Sequence, residues 1–271
     1  MAGRRLLVFA AVLVVLQLLV AGFAGTVAPY DPVAQDIVAR MQGPSAAHWL
    51  GTDQFGRDVL SRIIHGSRTS LFVSALAVAA ALVVGGTLGL VAAFYRGWTD
   101  RLVMRVMDVL FAFPVMLLAI GVVAVLGPRT ETAAVAIAVV YIPIFARLLR
   151  GPALVVCESD YVTGARAAGA SDGRIVFLHV LPNLASVVLV QTSLLLSAAI
   201  LVEASLSFLG LGSQPPTPSL GLMLSEGRNF LLLAPGPAVF SGLAILLLAF
   251  GLNLLGDALR DTLDPRLRGQ H

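Results

Sequence analysis

The stretch that decides the fold separates two apolar runs and reads Asp160-Tyr161-Val162-Thr163-Gly164-Ala165-Arg166-Ala167-Ala168-Gly169-Ala170-Ser171-Asp172-Gly173-Arg174. It lies in the polar segment 148–181, which is much longer than the ~2–8 residues of most connections between bundled helices. Small residues dominate it, and Ser171 can cap a second helix that runs through Phe177 and is stopped by Pro182. The pattern predicts a helix, a glycine hinge and a second helix. Such a protrusion suits a cleft on another protein, and a simple connector is the alternative.

The composition around this stretch is that of a membrane protein. Of 271 residues, 58% are hydrophobic and 12% are charged, and the mean hydropathy is +0.92. Average soluble domains carry roughly a quarter charged residues. A soluble globule of this length could not bury so much apolar side chain, which excludes an ordinary cytosolic enzyme, a disordered chain and a disulfide scaffold.

The basic residues are all arginine, eighteen in number. Without lysine the chain has no phosphate-binding G-x-x-x-x-G-K-[ST] loop and no Schiff-base lysine, so any nucleotide-driven step needs another chain. Cys157 is the single cysteine, which excludes an intrachain disulfide and a multi-cysteine metal site. The arginines stand singly between apolar runs, so membrane orientation explains the net charge of +3 better than nucleic-acid binding does.

Apolar runs long enough to cross a bilayer contain ~20 residues, each rising ~1.5 Å. Six such runs occur, at residues 6–28, 69–95, 109–128, 132–149, 184–202 and 237–255. Arg4 and Arg5 precede the first run, as in a secretory signal peptide. That run exceeds the ~7–15 apolar residues of such a peptide, so a retained span is the preferred interpretation. Pro114 and Pro143 are expected to bend or break the third and fourth helices locally.

Two further features of the apolar runs concern packing. Gly85 and Gly89 form a small-xxx-small pair, which predicts close helix packing inside one chain rather than a dimer face. Residues 204–225 carry no charge and are long enough to span, but glycines and prolines interrupt them. We expect this stretch to be irregular or re-entrant and packed against protein.

The distribution of arginine sets the expected orientation. With the N-terminus in the cytoplasm, twelve arginines fall in inside segments and six in outside segments. Both termini are then cytoplasmic. A seventh span at 204–225 would place the tail, with Arg260, Arg266 and Arg268, on the outside, which makes that arrangement less attractive.

The first outer loop, residues 29–68, contains the most varied polar chemistry outside 148–181. Its last residues place apolar side chains on one helical face, which predicts an amphipathic helix that continues into the second span. Asp and Arg alternating at helical spacing are typical of a solvated face. The potential metal ligands match no known site spacing, so no metal site is predicted; they are His48, Asp53, Asp58 and His65.

The helix-hinge-helix stretch resembles the Glu-Ala-Ala loop of bacterial ABC-importer permeases. That loop runs Glu-Ala-Ala, three residues, Gly, and then about a dozen residues to Leu-Pro. Ala165, Gly169 and the pair Leu181-Pro182 stand at the matching spacing. Thr163 and Gly164 occupy the places of the usual Glu and first Ala, a departure that leaves open any ion pair the Glu would make with the ATPase.

The resemblance is closer to the dipeptide/oligopeptide/nickel permease branch, and to its C-type partner. Four segments carry it, in order along the chain. They run from His48-Trp49-Leu50-Gly51-Thr52-Asp53 to Arg62, from Met104-Arg105-Val106-Met107-Asp108 to Pro114, from Glu203-Ala204-Ser205-Leu206-Ser207 to Gly212, and from Leu252-Asn253-Leu254-Leu255-Gly256-Asp257 through Asp264-Pro265-Arg266.

The resemblance implies an all-α membrane protein with six transmembrane helices of the type I ABC importer permease fold. It implies a non-catalytic subunit in the bacterial inner membrane, paired with a second homologous permease. Cytoplasmic ATPase subunits would bind ATP and Mg, this chain would bind no cofactor, and an extracytoplasmic solute-binding protein would deliver the cargo. Residues 1–68 would form a first helix and outer loop, and residues 69–271 a five-helix core with a cytoplasmic coupling loop at 150–182.

The resemblance also assigns a role to one segment. The ATPase-coupling segment would be Thr163, Gly164, Ala165, Arg166, Ala167, Ala168, Gly169, Ala170, Ser171 and Asp172.

Glu203 ends the fifth predicted span, where an ionisable residue near lipid depth is a candidate for the substrate path; a paired or hydrated carboxylate at the boundary is the alternative. Asp108 is expected to pair with Arg105 or Arg101.

Other functions remain as alternatives. A self-sufficient secondary transporter or channel would show inverted repeats or several intramembrane ionisable residues. An intramembrane enzyme would need a nucleophile and base, or metal ligands, at membrane depth. Neither accounts for the long segment 148–181. Within the importer family, the cargo could be a dipeptide, a longer peptide, nickel or another small solute.

Overall fold

The computed structural model describes residues 2–263, and these residues are mainly helical. The helices are α1 (Ala2–Gly22), α2 (Ala24–Val27), α3 (Val59–Tyr95), α4 (Gly97–Phe111), α5 (Val115–Leu126), α6 (Thr130–Cys157), α7 (Asp160–Ala167), α8 (Asp172–Ile175), a π-helical turn (Val176–Val180), α9 (Leu181–Phe208), α10 (Leu220–Arg228) and α11 (Gly236–Leu263).

Five continuous helical segments are long and apolar enough to cross a membrane. They are Arg5–Gly22, Val59–Tyr95, Thr130–Cys157, Asp172–Phe208 and Gly236–Thr262. The third predicted span, 109–128, is not one helix. It divides between α4 and α5, which meet at 91°, and the pair makes the sixth span only if it is counted as one broken element.

The two prolines in predicted spans behave differently. Pro114 sits at the N-cap of α5, so the predicted break is confirmed there. At Pro143, where a bend or a break was predicted, the helix does not break, because α6 continues through it and through Pro152. Pro143 is buried inside this long helix. Packing of the surrounding turns offsets the backbone hydrogen bond that a proline removes.

Helices α3 and α6 pack closely against each other. A Cβ added at Gly85 would overlap the carbonyl oxygen of Ile142, and one added at Gly89 would overlap that of Ala146. The prediction that this glycine pair serves packing inside one chain is confirmed. The apolar core beside it includes Val78, Ala81, Ile137, Tyr141 and Phe145.

Helices α9, α10 and α11 enclose a second apolar core with α1. Its buried members are Val14, Ile200, Ala204, Leu220, Ile245, Leu248 and Leu252. The stretch 204–225 is the end of α9, an irregular connection and the start of α10. Ala204 and Leu220 of this stretch are buried against side chains of α1 and α11, so the stretch lies against protein, as predicted.

Three sequence predictions relate to boundaries. The predicted helix at the end of the first loop is confirmed, and it is continuous with the second span, since α3 begins at Val59 with Asp58 as its N-cap. The division predicted between residues 68 and 69 falls inside α3. Asp264, Pro265, Arg266 and Arg268 lie outside the described residues, and the orientation of the termini stays a prediction.

Candidate functional site

The helix-hinge-helix predicted at 160–174 is present. After α7, Gly169 adopts φ +81°. The Gly169 N–H donates to Arg166 O at 3.0 Å and the Ala170 N–H donates to Ala165 O at 3.1 Å, which is the paired bonding of a Schellman motif. Ser171 then caps α8, its Oγ accepting from the Arg174 N–H at 3.4 Å. Local chemistry therefore forms this turn, because glycine adopts positive φ at little cost.

The turn presents small exposed side chains to its surroundings. Among the predicted coupling residues, Ala165 and Ala170 are half-buried and the other eight are exposed. A Cβ at Gly164 would meet no atom within 4 Å. Behind this surface, Val162 and Ile175 are fully buried in a cluster with Leu149 and Leu184. The exposed face is thus held on a fixed apolar base.

Helix α3 also holds the coupling segment. Tyr95 Oη lies 3.3 Å from Asp172 Oδ2, and the Arg166 guanidinium stands over the Phe94 ring at 5.2 Å. These two contacts join the segment to the end of α3.

The predicted stop at Pro182 is wrong. Helix α8 passes through the π-helical turn Val176–Val180 into α9, with Pro182 in the first turn of α9. The Leu181 N–H donates to Val176 O, five residues earlier. This wider turn shifts the carbonyls ahead of the proline, so its ring meets no obstructing oxygen. The coupling segment is consequently continuous with the fifth span.

Glu203 lies inside α9 rather than at its end, and it is 1% exposed. Its Oε1 accepts a hydrogen bond from Ser207 Oγ at 2.7 Å. Its Oε2 has no hydrogen-bond partner, and neither do the buried hydroxyls of Ser70 and Ser74 on α3. The carboxyl therefore belongs to a closed polar cluster between α9 and α3. A substrate could touch it only if these helices separated, and its role in the substrate path stays a prediction.

The prediction that Asp108 pairs with Arg105 or Arg101 is wrong. Asp108 pairs with Arg147 of α6, whose Nη2 donates a hydrogen bond to Asp108 Oδ1 at 2.7 Å. Nearby, Arg150 donates two hydrogen bonds to Asp100, from Nε to Oδ1 at 2.5 Å and from Nη2 to Oδ2 at 2.6 Å. The error arose because the bend after Phe111 brings α4 alongside the far end of α6. Sequence neighbours alone do not reveal such a contact.

The first loop forms a buried ionic cluster where the sequence predicted a solvated face. Arg57 Nε donates to Asp53 Oδ2 at 2.6 Å, and Arg57 Nη2 donates to Glu226 Oε2 at 2.9 Å. Arg62 stands 3.5 Å from the same Asp53 oxygen and 3.6 Å from the same Glu226 oxygen. The prediction is wrong because α10 and the folded loop cover these charges.

Sequence reasoning missed Glu226 altogether. It lies on α10, far along the chain, and no local pattern pairs it with Arg57. Two of the four potential metal ligands contact each other, with His48 Nδ1 2.9 Å from Asp58 Oδ1, and Asp53 binds Arg57. In residues 2–263, no group of three or more His, Cys, Asp or Glu is placed to hold a metal ion.

Comparison with known proteins gives a consistent result. Residues 85–269 match the family model described as "binding-protein-dependent transport system inner membrane component". The chain is 48% identical to the dipeptide transport system permease protein DppC of Alkalihalophilus pseudofirmus, over 84% of this chain and 75% of that protein. It is 47% identical to the glutathione transport system permease protein GsiD of Pectobacterium atrosepticum, over 98% of this chain and 88% of that protein.

A solved structure shares the fold. The inward-facing MetNI methionine ABC transporter matches with a TM-score of 0.60 and 17% sequence identity. The match covers 75% of this chain and 97% of that chain. At this identity the likeness concerns architecture only, and it supports the predicted type I ABC importer permease fold.

Proposed function

The chain belongs to the family of binding-protein-dependent transport system inner membrane components, and from this premise we propose that its cargo is a di- or oligopeptide. The chain is a multi-pass inner-membrane permease subunit of an ABC importer, which works with ATPase subunits and a substrate-binding protein. It is not itself an enzyme, since the partner ATPase hydrolyses ATP. The observation behind the proposed cargo is the 47–48% identity to dipeptide and glutathione permeases.

The proposed transport unit is a pair of permeases. This chain would supply half of the translocation pathway and a second homologous permease the other half. ATP and Mg would be bound by the ATPase subunits, in keeping with a chain that contains no lysine. Nucleotide binding would favour one of two arrangements of the pair, so that the pathway opens alternately to each side.

The segment Thr163–Asp172 would dock into a cleft on the ATPase. Three features support this assignment. Its small exposed side chains leave room for a partner's surface. Its apolar base and its contacts with Phe94 and Tyr95 attach it to the rest of the chain. Its continuity with α9 gives a direct mechanical path to the fifth span.

Glu203 would act in the pathway only in an open arrangement. A peptide carries an ammonium terminus that a carboxylate attracts, and the free Oε2 is available for such a bond. Separation of α3 from α9 would expose it. Glu203→Gln should then raise the KM for a peptide with a free amino terminus and leave that for an N-acetylated peptide unchanged.

The cargo is tested in proteoliposomes that hold this chain, the second permease and the ATPases, supplied with the cognate binding protein. ATP-dependent uptake of a radiolabelled dipeptide, glutathione and Ni²⁺ is compared. Saturable uptake of dipeptide or glutathione supports the proposal. Uptake of Ni²⁺ alone, with the same complex competent for ATP hydrolysis, contradicts it.

Docking is tested at Gly164, where the chain itself leaves space. Gly164→Trp should block the ATPase contact and abolish transport-coupled ATP hydrolysis. Gly164→Ala is the matched control, because it fits the isolated chain and improves helix propensity. Gly169 is a less suitable position, since its φ of +81° strains any larger residue. Normal coupling in Gly164→Trp would show that the segment docks elsewhere.

A further inference from the structure

Helix α4 has one face against neighbouring helices and one open face. The open face carries large apolar side chains at helical spacing, all of them exposed: Trp98, Leu102, Val106 and Val109. Arg101 and Arg105 are exposed beside them. We propose that α4 lies along the membrane surface on the side of the coupling segment, where Arg101 and Arg105 bind the phosphate groups of anionic phospholipids.

The bend places α4 in the membrane plane. Helix α5 packs along the spanning helix α6, with Ala119 and Val123 in the core that α6 lines. Since α4 meets α5 at 91°, a helix pair with α5 along the membrane normal has α4 parallel to the surface.

Two ion pairs fix the depth of α4. Asp100 is held by Arg150, and Asp108 by Arg147. Arg150 lies on the same helix as Thr130, the first residue of α6, and the helical rise between them amounts to ~30 Å. That separation equals the thickness of the hydrocarbon layer. If the layer begins near Thr130, then α4 lies at the level of the lipid headgroups.

The charged side chains of α4 leave Arg101 and Arg105 available to an anion at its open face. Both acidic residues of the helix, Asp100 and Asp108, are engaged by arginines of α6. Arg101 donates only to the carbonyl of Gly97, at 3.3 Å. Within residues 2–263, Arg105 has no ion pair or side-chain hydrogen bond. The anions at this depth of a membrane are the phosphate groups of the lipid headgroups. Apolar residues together with Trp and Arg are typical of helices that lie at the membrane interface.

The lipid site proposed on α4 lies close to the coupling segment Thr163–Asp172. Arg96, the N-cap of α4, pairs with Glu158 at the end of α6 at 2.9 Å. Tyr95 beside it contacts Asp172 of the coupling segment. A headgroup bound to α4 would therefore stand next to the segment proposed to meet the ATPase.

The test uses the whole complex, purified in detergent and titrated with phosphatidylglycerol while bound lipid is counted by native mass spectrometry. The double variant Arg101→Gln/Arg105→Gln should weaken phosphatidylglycerol binding about 25-fold, because each arginine near an anionic surface contributes about fivefold. Arg101→Lys/Arg105→Lys should retain most of it. Arg129→Gln, an exposed arginine at the other end of α6, is the matched control and should bind like the parent.

A second measurement separates lipid from protein as the occupant. A photoreactive residue at Leu102 should cross-link to phospholipid in proteoliposomes and not to another subunit. Cross-linking to a second permease, or equal lipid binding by the double glutamine variant and the parent, would overturn the proposal. Size-exclusion chromatography of each variant complex confirms that assembly is intact before binding is compared.

Discussion

Arg57 of the first loop donates a hydrogen bond through Nη2 to Oε2 of Glu226 on α10, at 2.9 Å, although 169 positions separate the two residues. Arg57 also binds Asp53, and Arg62 stands close to both carboxylates. The cluster fastens the loop to the short helix that follows α9. Because the charges are largely removed from water, each depends on its partners.

Removing Glu226 should therefore destabilise the protein. Glu226→Ala leaves the buried guanidinium groups of Arg57 and Arg62 with the Asp53 carboxylate and, for Arg62, the Pro32 carbonyl, at an expected cost of about 3 kcal/mol. The melting temperature of the purified chain in detergent measures this. Glu158→Ala is the control, since its pair with Arg96 is exposed and should change stability by less than ~1 kcal/mol. Similar melting of the two variants would mean that the cluster is solvated.

The approach of α3 to α6 predicts strong sensitivity at Gly85. Gly85→Ala introduces a methyl group that overlaps the carbonyl oxygen of Ile142, so the helices must separate, at a cost of about 1–3 kcal/mol. Gly121→Ala on α5 meets no atom within 4 Å and should be neutral or slightly stabilising. Thermal unfolding of both variants provides the comparison, and an equal effect would argue against close backbone packing.

The turn at Gly169 predicts a graded response to substitution. Gly169→Val should cost about 1–2 kcal/mol, because a β-branched residue is strained at φ +81°. Gly169→Asn should cost less, since asparagine tolerates the left-handed region. Melting temperature and the rate of proteolysis at the segment report the difference. If valine and asparagine behaved alike, the turn would not have the positive φ described.

The buried carboxyl of Glu203 predicts a specific role for Ser207. Ser207→Ala removes the hydroxyl that donates to Glu203 Oε1 and should destabilise the chain by about 1–3 kcal/mol. Ser205→Ala is the matched control, because Ser205 is exposed and bonds only to the carbonyl of Leu201. Thermal unfolding of the two variants decides the point, and a stable Ser207→Ala protein would indicate that another group satisfies the carboxyl.

Features that depend on nearby residues could be predicted from the sequence. The apolar runs gave the spans, because the need to match a bilayer acts on consecutive residues. Pro114 marked the break before α5, and Gly169 with Ser171 marked the turn of the coupling segment, because caps and turns depend on residues within one helical turn. The order of motifs gave the family, which its model confirms.

Features that depend on distant residues were decided only by the tertiary structure. Asp53, Arg57 and Arg62 have the pattern of a solvated surface until Glu226 and the folded loop cover them. Asp108 has arginines nearby in sequence but binds Arg147, because α4 turns toward α6. Whether Pro182 ends a helix depended on the π-helical turn before it. The free energy of a charge depends on the groups and solvent around it, and in this protein those groups come from other helices.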